Sequence, residues 1–262
     1  MSGRPLEGRH ALVTGAGGGI GAAIATALVA AGARVSLAGR RAEPLRTLAE
    51  RLGKERAVAI DGFDVTDAEA IASGLARARA AFGPVGVLVN NAGEAPSASF
   101  RKLDAAIWAH VLAVDLTGVF LVTQAALTDI ESHRGAGRVI NVASTAGLTG
   151  YPYVTAYCAA KHGVVGFTRA LALELARAGV TVNAVCPGFT ETPLIDKAIE
   201  TIVAKTGRSA EAARADLAKA NPQGRLVRPE EVADCVLWLA SPGASSVTGQ
   251  AIPIAGGEVM AG

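Results

Sequence analysis

Strand-like apolar runs alternate with longer helical patterns along almost the whole chain, and few folds accommodate that order. Residues 10–14, 34–38, 57–63, 87–90, 137–143, 180–186 and 250–254 read as strands. Residues 20–31, 43–52, 67–82, 103–130, 157–178 and 229–239 read as helices between them. The strands are apolar throughout rather than alternately polar, so both of their faces are expected to be covered. The expected fold is α/β, a parallel sheet with helices on both sides. No linker or low-complexity segment divides the chain, and residues 1–262 read as one domain. Residues 194–221 break the alternation as a helical, charge-rich insertion with Ile195, Ile199, Ile202 and Val203 as its apolar stripe. Lying after a strand's carboxyl end, residues 190–222 are a candidate substrate lid, with a solvated helix pair as the competing reading.

Half of the residues are hydrophobic, with 31 glycines and few aromatics, as in small-residue helices packed on a buried sheet. A net charge of +2 without a basic cluster argues against a nucleic-acid partner. Cys158, Cys186 and Cys235 show neither CxxC spacing nor a histidine at ligand spacing, so no metal site or disulfide framework is expected. The first residues lack an apolar signal core and no 18-residue apolar run is free of charge. The chain therefore reads as cytoplasmic, with no membrane partner.

Two motifs carry chemistry. Gly15, Gly17, Gly18, Gly19 and Gly21, with Ile20, follow the first strand and open the first helix. There the backbone can turn tightly and offer helix N-terminal amides to a pyrophosphate, which points to a dinucleotide site. Tyr157 and Lys161 stand four apart in a helical run, so both project from one face. A phenol of pKa ~10 is a poor acid or base at neutral pH, and a neighbouring ammonium favours its ionised form.

The glycine turn TGAGGGIG, the run Asn90-Asn91-Ala92-Gly93, Ser144, the Tyr157/Lys161 pair and Pro187-Gly188 occur in order at fitting separations. In this the chain resembles the short-chain dehydrogenase/reductases over nearly its whole length. The resemblance implies a single Rossmann-type, doubly wound sheet of seven mostly parallel strands, with a nicotinamide cofactor along its carboxyl edge. It implies that Tyr157 is the general acid in ketone reduction and the base in alcohol oxidation. Lys161 would hold the cofactor ribose and lower the tyrosine pKa, and Ser144 would hydrogen-bond the substrate carbonyl. Asn91, Ala92 and Gly93 would line the cofactor, Asp64 and Val65 would meet the adenine edge, and Pro187, Gly188, Thr190 and Thr192 would receive the carboxamide. A homotetramer assembled through helices 103–130 and 157–178 and the C-terminal strand region is also implied.

One position departs from the family. Its usual helix asparagine corresponds here to Asp115, which could be protonated, pair with Lys161, or leave a relay water to the backbone; an ordinary helix carboxylate is the competing reading. The second strand ends in Gly39, Arg40 and Arg41 with no acidic residue to repel a 2′-phosphate, so NADP(H) is expected over NAD(H). Residues 157–167 and 183–189 resemble ketoreductases acting on thioester-bound β-keto chains. The expected activity is thus NADPH-dependent reduction of a 3-oxoacyl thioester on ACP or CoA. Arg101, Lys102, Arg208, Arg214 and Lys219 are candidates for a phosphate of the carrier arm, with solvated helix charges as the favoured competing reading. A secondary-alcohol or aryl-ketone dehydrogenase is the alternative reading, and a silent NADP-binding sensor or assembly subunit a remoter one.

Overall fold

The computed structural model describes residues 4–260, so the two ends of the expected 1–262 span lie outside the described residues. Seven strands form one sheet: β1 (His10–Thr14), β2 (Arg34–Ala38), β3 (Ala57–Ile60), β4 (Val87–Asn90), β5 (Arg138–Val142), β6 (Thr181–Pro187) and β7 (Ala251–Ile254). Their order is β3-β2-β1-β4-β5-β6-β7, and every neighbouring pair is parallel, where the sequence led us to expect a mostly parallel sheet. The chain steps outward from β1 to β3, then returns to the other side of β1 at β4. That reversal opens a crevice at the carboxyl ends of β1 and β4, where open α/β sheets bind ligands.

Alternate residues of each strand feed different cores, because successive side chains point to opposite faces. Ala11 and Val13 pack with α1 (Gly19–Ala30), α2 (Ala42–Leu52) and α9 (Pro229–Ala240) through Ile24, Leu28, Leu45 and Val236. Leu12, Leu88 and Val139 pack on the other face with α3 (Ala68–Phe82), α5 (Gly118–Ser132) and α6 (Thr155–Leu175), through Leu75, Val122 and Ala172. Asp67 starts α3 by accepting from the amides of Glu69 and Ala70, an N-cap that satisfies two orphan donors. The third strand is shorter than expected. It ends at Ile60 because Gly62 turns with φ +66°, and Phe63 drops into the space left by Gly74.

The expected 103–130 helix is interrupted. After α4 (Ala105–Leu112), residues Ala113–Thr117 form a π-helical turn before α5 begins, with the Gly118 amide donating back to the Ala113 carbonyl. The whole stretch Ala105–Ser132 is long and apolar enough to cross a membrane, yet Val122, Ala126 and Ile130 are fully buried against the sheet. The insertion is two helices, α7 (Pro193–Thr206) and α8 (Ala210–Ala218). Ile195 and Ile199 are buried, and Ile202 and Val203 pack beside them with Leu226 and Phe189.

Candidate active site

The glycine turn sits at the crevice mouth and is built for close approach. Gly15 has φ +65°, and a Cβ there would lie 2.9 Å from Ala92 Cα. Gly21 packs α1 against the turn so closely that a Cβ would lie 2.4 Å from the Gly15 carbonyl oxygen. Asn91 ties the turn to the end of β4: its Nδ2 donates to the carbonyls of Thr14 (2.9 Å) and Gly15 (3.2 Å). Thr14 Oγ1 accepts in return from the amides of Asn91 and Ala92. Gly18, at the start of α1, offers no side-chain cap, so the first amides of the helix are open to an anion. Thr192 closes the other side, its Cγ2 lying 3.1 Å from the Cβ position of Gly19.

From this turn a cleft runs past Gly17, Arg40, Arg41, Asp64, Val65, Ala92 and Gly93. Arg40 and Arg41 are exposed, and among the described residues neither makes an ion pair. Asp64 is held by Thr66, which donates to its Oδ1 through both the amide and the hydroxyl, and stays below its usual carboxylate range for that reason. The cradle that side chains would fill, the uncapped amides and the free guanidinium groups together fit a phosphorylated dinucleotide.

The candidate reacting cluster lies where β5, α6 and the π-helical turn meet. Ser144, just past β5, accepts from the Ala146 amide and places its Oγ 3.5 Å from the Pro187 carbonyl oxygen, to which it donates. The Lys161 ammonium lies 5.5 Å from the centre of the Tyr157 ring and donates to the Val142 carbonyl (3.0 Å). Asp115 is wholly buried, and its Oδ1 is 3.3 Å from Lys161 Nζ. Of the roles open to that carboxylate, pairing with the lysine is the one adopted. The Glu94 amide donates weakly to both of its oxygens (3.3 and 3.4 Å).

Lys161 does act to lower the tyrosine, as expected, but it does not set the net direction. Burial raises the Tyr157 phenol above its ordinary value; Lys161 pulls it down, but Asp115 opposes the lysine and burial wins. Burial also raises Asp115, with Lys161 working against it. For Lys161 burial acts downward, and Asp115 with Tyr157 more than offsets it, so the lysine stays an ammonium.

Four residues escaped the sequence reading because only the tertiary fold brings them in. Glu94 contacts His110 through Oε1 and Nε2. Glu258 accepts from the Tyr151 hydroxyl, which lies 2.8 Å from Thr145 Oγ1, and Tyr151 stacks edge-on against Phe189 (5.9 Å). These join the C-terminal turn to the loop after Ser144. Pro187, Gly188 and Thr190 continue along that wall, Thr190 donating to the Gly188 carbonyl (2.9 Å). Of the basic residues considered for a carrier phosphate, Arg208 and Lys219 are bound to Asp216, and Arg214 to Glu191. Those three are occupied within the insertion itself.

A family model described as short chain dehydrogenase matches residues 9–203. A Streptomyces coelicolor protein bearing the provisional name ketoacyl reductase is 45% identical, over 94% of this chain and 95% of its own length. The cis-4-hydroxycyclohexanecarboxylate dehydrogenase of Sinomonas cyclohexanicum is 42% identical, over 97% and 98%. The crystal structure of an F189W actinorhodin polyketide ketoreductase with NADPH superposes with a TM-score of 0.90 at 43% identity, covering 98% of this chain and 99% of that one.

Proposed function

The chain belongs to the short chain dehydrogenase family, and from that premise we propose that it reduces the ketone of a 3-oxoacyl thioester, carried on ACP or CoA, to a secondary alcohol with NADPH. The coarser activity is that of an oxidoreductase interconverting C=O and CH–OH. The observation that carries the reading is the convergence of Ser144, Tyr157 and the Asp115-paired Lys161 behind Gly93, which lines a crevice that starts in a phosphate cradle.

A nicotinamide cofactor held in the cleft would supply the hydride. Ser144 Oγ, held by the Ala146 amide, would donate to the substrate oxygen as negative charge develops there. Tyr157, kept protonated by its surroundings, would deliver the proton to that oxygen. Lys161, fixed by Val142 and Asp115, would hold the ribose and replenish the tyrosine proton. The glycine turn and the α1 amides would seat the pyrophosphate, with Asn91 bracing it. Arg40 and Arg41 would pair with the 2′-phosphate that distinguishes NADPH. Pro187, Gly188, Thr190 and Thr192 would orient the carboxamide, and residues 190–222 would cover the substrate.

A second reading, a dehydrogenase of simple secondary alcohols, draws support from the similarity to the cis-4-hydroxycyclohexanecarboxylate dehydrogenase. Initial rates with acetoacetyl-CoA, a cyclic ketone and an aryl ketone, followed by NADPH absorbance, separate the two. The thioester should be turned over with the highest kcat/KM; no thioester turnover rejects the lead reading. The homotetramer belongs to the same proposal. Phe120 on α5 and Leu173 on α6 are 43% and 81% exposed, apolar surface of the kind that subunits cover. Light scattering of the purified protein tests it, and a monomeric mass refutes it.

A further inference from the structure

Asp115 brings a full negative charge into a site where a neutral amide would suffice to hold a lysine. Its carboxylate and the Lys161 ammonium are both buried, 3.3 Å apart. Both press against Gly93: a Cβ there would lie 2.6 Å from Asp115 Oδ1 and 3.5 Å from Lys161 Nζ. Gly93 also lines the cleft read above as the cofactor site. The pair thus lies directly behind Gly93, beside Tyr157, and as an ion pair it carries no net charge.

An oxidised nicotinamide ring is cationic and a reduced one neutral. A lone ammonium behind Gly93 would repel the first and ignore the second, and in a buried site little water screens that repulsion. We infer that Asp115 is a charge-balancing residue that cancels the Lys161 ammonium, so that the site holds NADP+ more tightly relative to NADPH than the lysine alone would allow. A site that favours the oxidised form makes its bound NADPH a stronger hydride donor, and so leans toward ketone reduction. The same balance keeps Tyr157 in its protonated, proton-donating form.

Other groups face the pair from each side. Glu94, on the loop after β4, adds negative charge toward the pair and contacts the His110 ring on its outer side. Tyr157 and Cys158 lie on α6 and Cys186 on β6. None of these supplies a second cation beside Lys161.

This inference rests on the nicotinamide reading of the cleft, and the test keeps the two apart. Dissociation constants for NADP+ and NADPH are measured by fluorescence titration, without substrate, for the wild type, Asp115→Asn, Lys161→Met and the double variant. Contacts that Lys161 makes equally with both redox forms cancel in the ratio Kd(NADP+)/Kd(NADPH). The ratio should rise about tenfold in Asp115→Asn, equivalent to about 1.4 kcal/mol. It should fall in Lys161→Met and return to within about threefold of the wild type in the double variant, where both charges are gone. Should Asp115→Asn fail to fold, the rise from Lys161→Met to the double variant answers the same question. Binding of both forms with ratios unchanged within about twofold across the cycle overturns the inference alone. Failure of the wild type to bind either nucleotide overturns the cofactor reading beneath it.

Discussion

Gly21→Ala tests whether the cradle depends on backbone contact rather than on loop flexibility. The added methyl carbon would sit 2.4 Å from the Gly15 carbonyl oxygen, 2.6 Å from Asn91 Nδ2 and 3.0 Å from Ala16 Cα. Two of these are backbone atoms, and the third is held by hydrogen bonds to Thr14 and Gly15. Ordinary carbon–oxygen contact needs about 3.3 Å, so α1 must retreat by nearly 1 Å. It cannot do so freely, because Ile24, Ala25 and Leu28 are buried beneath it. Overpacking of this kind costs about 1–3 kcal/mol. The same retreat carries the α1 amides away from the pyrophosphate, and a displacement near 1 Å should weaken NADPH binding at least ~tenfold. Gly18→Ala is the internal control. Its φ of 172° is extended backbone that any residue adopts, and no atom lies within 4 Å of its Cβ position. Its stability should change by no more than ~0.5 kcal/mol. Urea unfolding without nucleotide and NADPH titration measure the two effects separately. If Gly21→Ala matches Gly18→Ala in urea midpoint and binds NADPH like the wild type, the close-approach argument is wrong.

Further outcomes follow from individual groups. Arg40→Ser should raise the KM for NADPH ~10-fold or more and leave that for NADH nearly unchanged, since a charged hydrogen bond contributes ~1.5–3 kcal/mol; equal effects on both cofactors count against the 2′-phosphate contact. Tyr157→Phe should lower kcat by ~10²–10⁴ while NADPH still binds. Because the Tyr157 phenol is raised and reduction requires its protonated form, wild-type reductase activity should persist through neutral pH and decline only above the ordinary phenol value of ~10. A decline centred near neutrality would contradict that assignment. Glu231 is drawn down to about 2, first by the Arg225 guanidinium fork and then by the Arg228 amide. A depressed carboxylate stabilises the fold above its unfolded pKa, and that contribution is lost as pH falls from about 4.5 toward 2. In Glu231→Gln the loss of stability between neutral and acid pH should therefore be shallower, as read from urea midpoints at several pH values.

Much of the architecture was legible because it rests on local pattern. β1, β2 and β4 begin and end where apolar runs meet glycine, arginine or asparagine, and Asp67 caps α3 as its place before an alanine-rich run suggests. What local pattern does not carry is the break at Ala113–Thr117. Residues 105–130 have good helical periodicity, and the π-helical turn arises where the Asp115 carboxylate meets Lys161 on another helix. The end of β3 was overrun for a similar reason, since Phe63 is buried by packing on Gly74 rather than by pairing in the sheet. In the site, the glycine turn and the Tyr157/Lys161 pair announce themselves through spacing. Glu94, His110, Tyr151 and Glu258 lie far apart along the chain and acquire meaning only from their contacts.

The π-helical turn that presents Asp115 holds one residue more than a regular helix would use for the same rise. Shortening the chain by one position there would restore an unbroken spiral, yet it would swing everything on one side by about 100° relative to the other. Either His110 and Trp108 would leave their present surface, or Val122 would turn from the inside toward the outside. Natural variation at this segment is therefore expected to exchange side chains freely while leaving its length untouched.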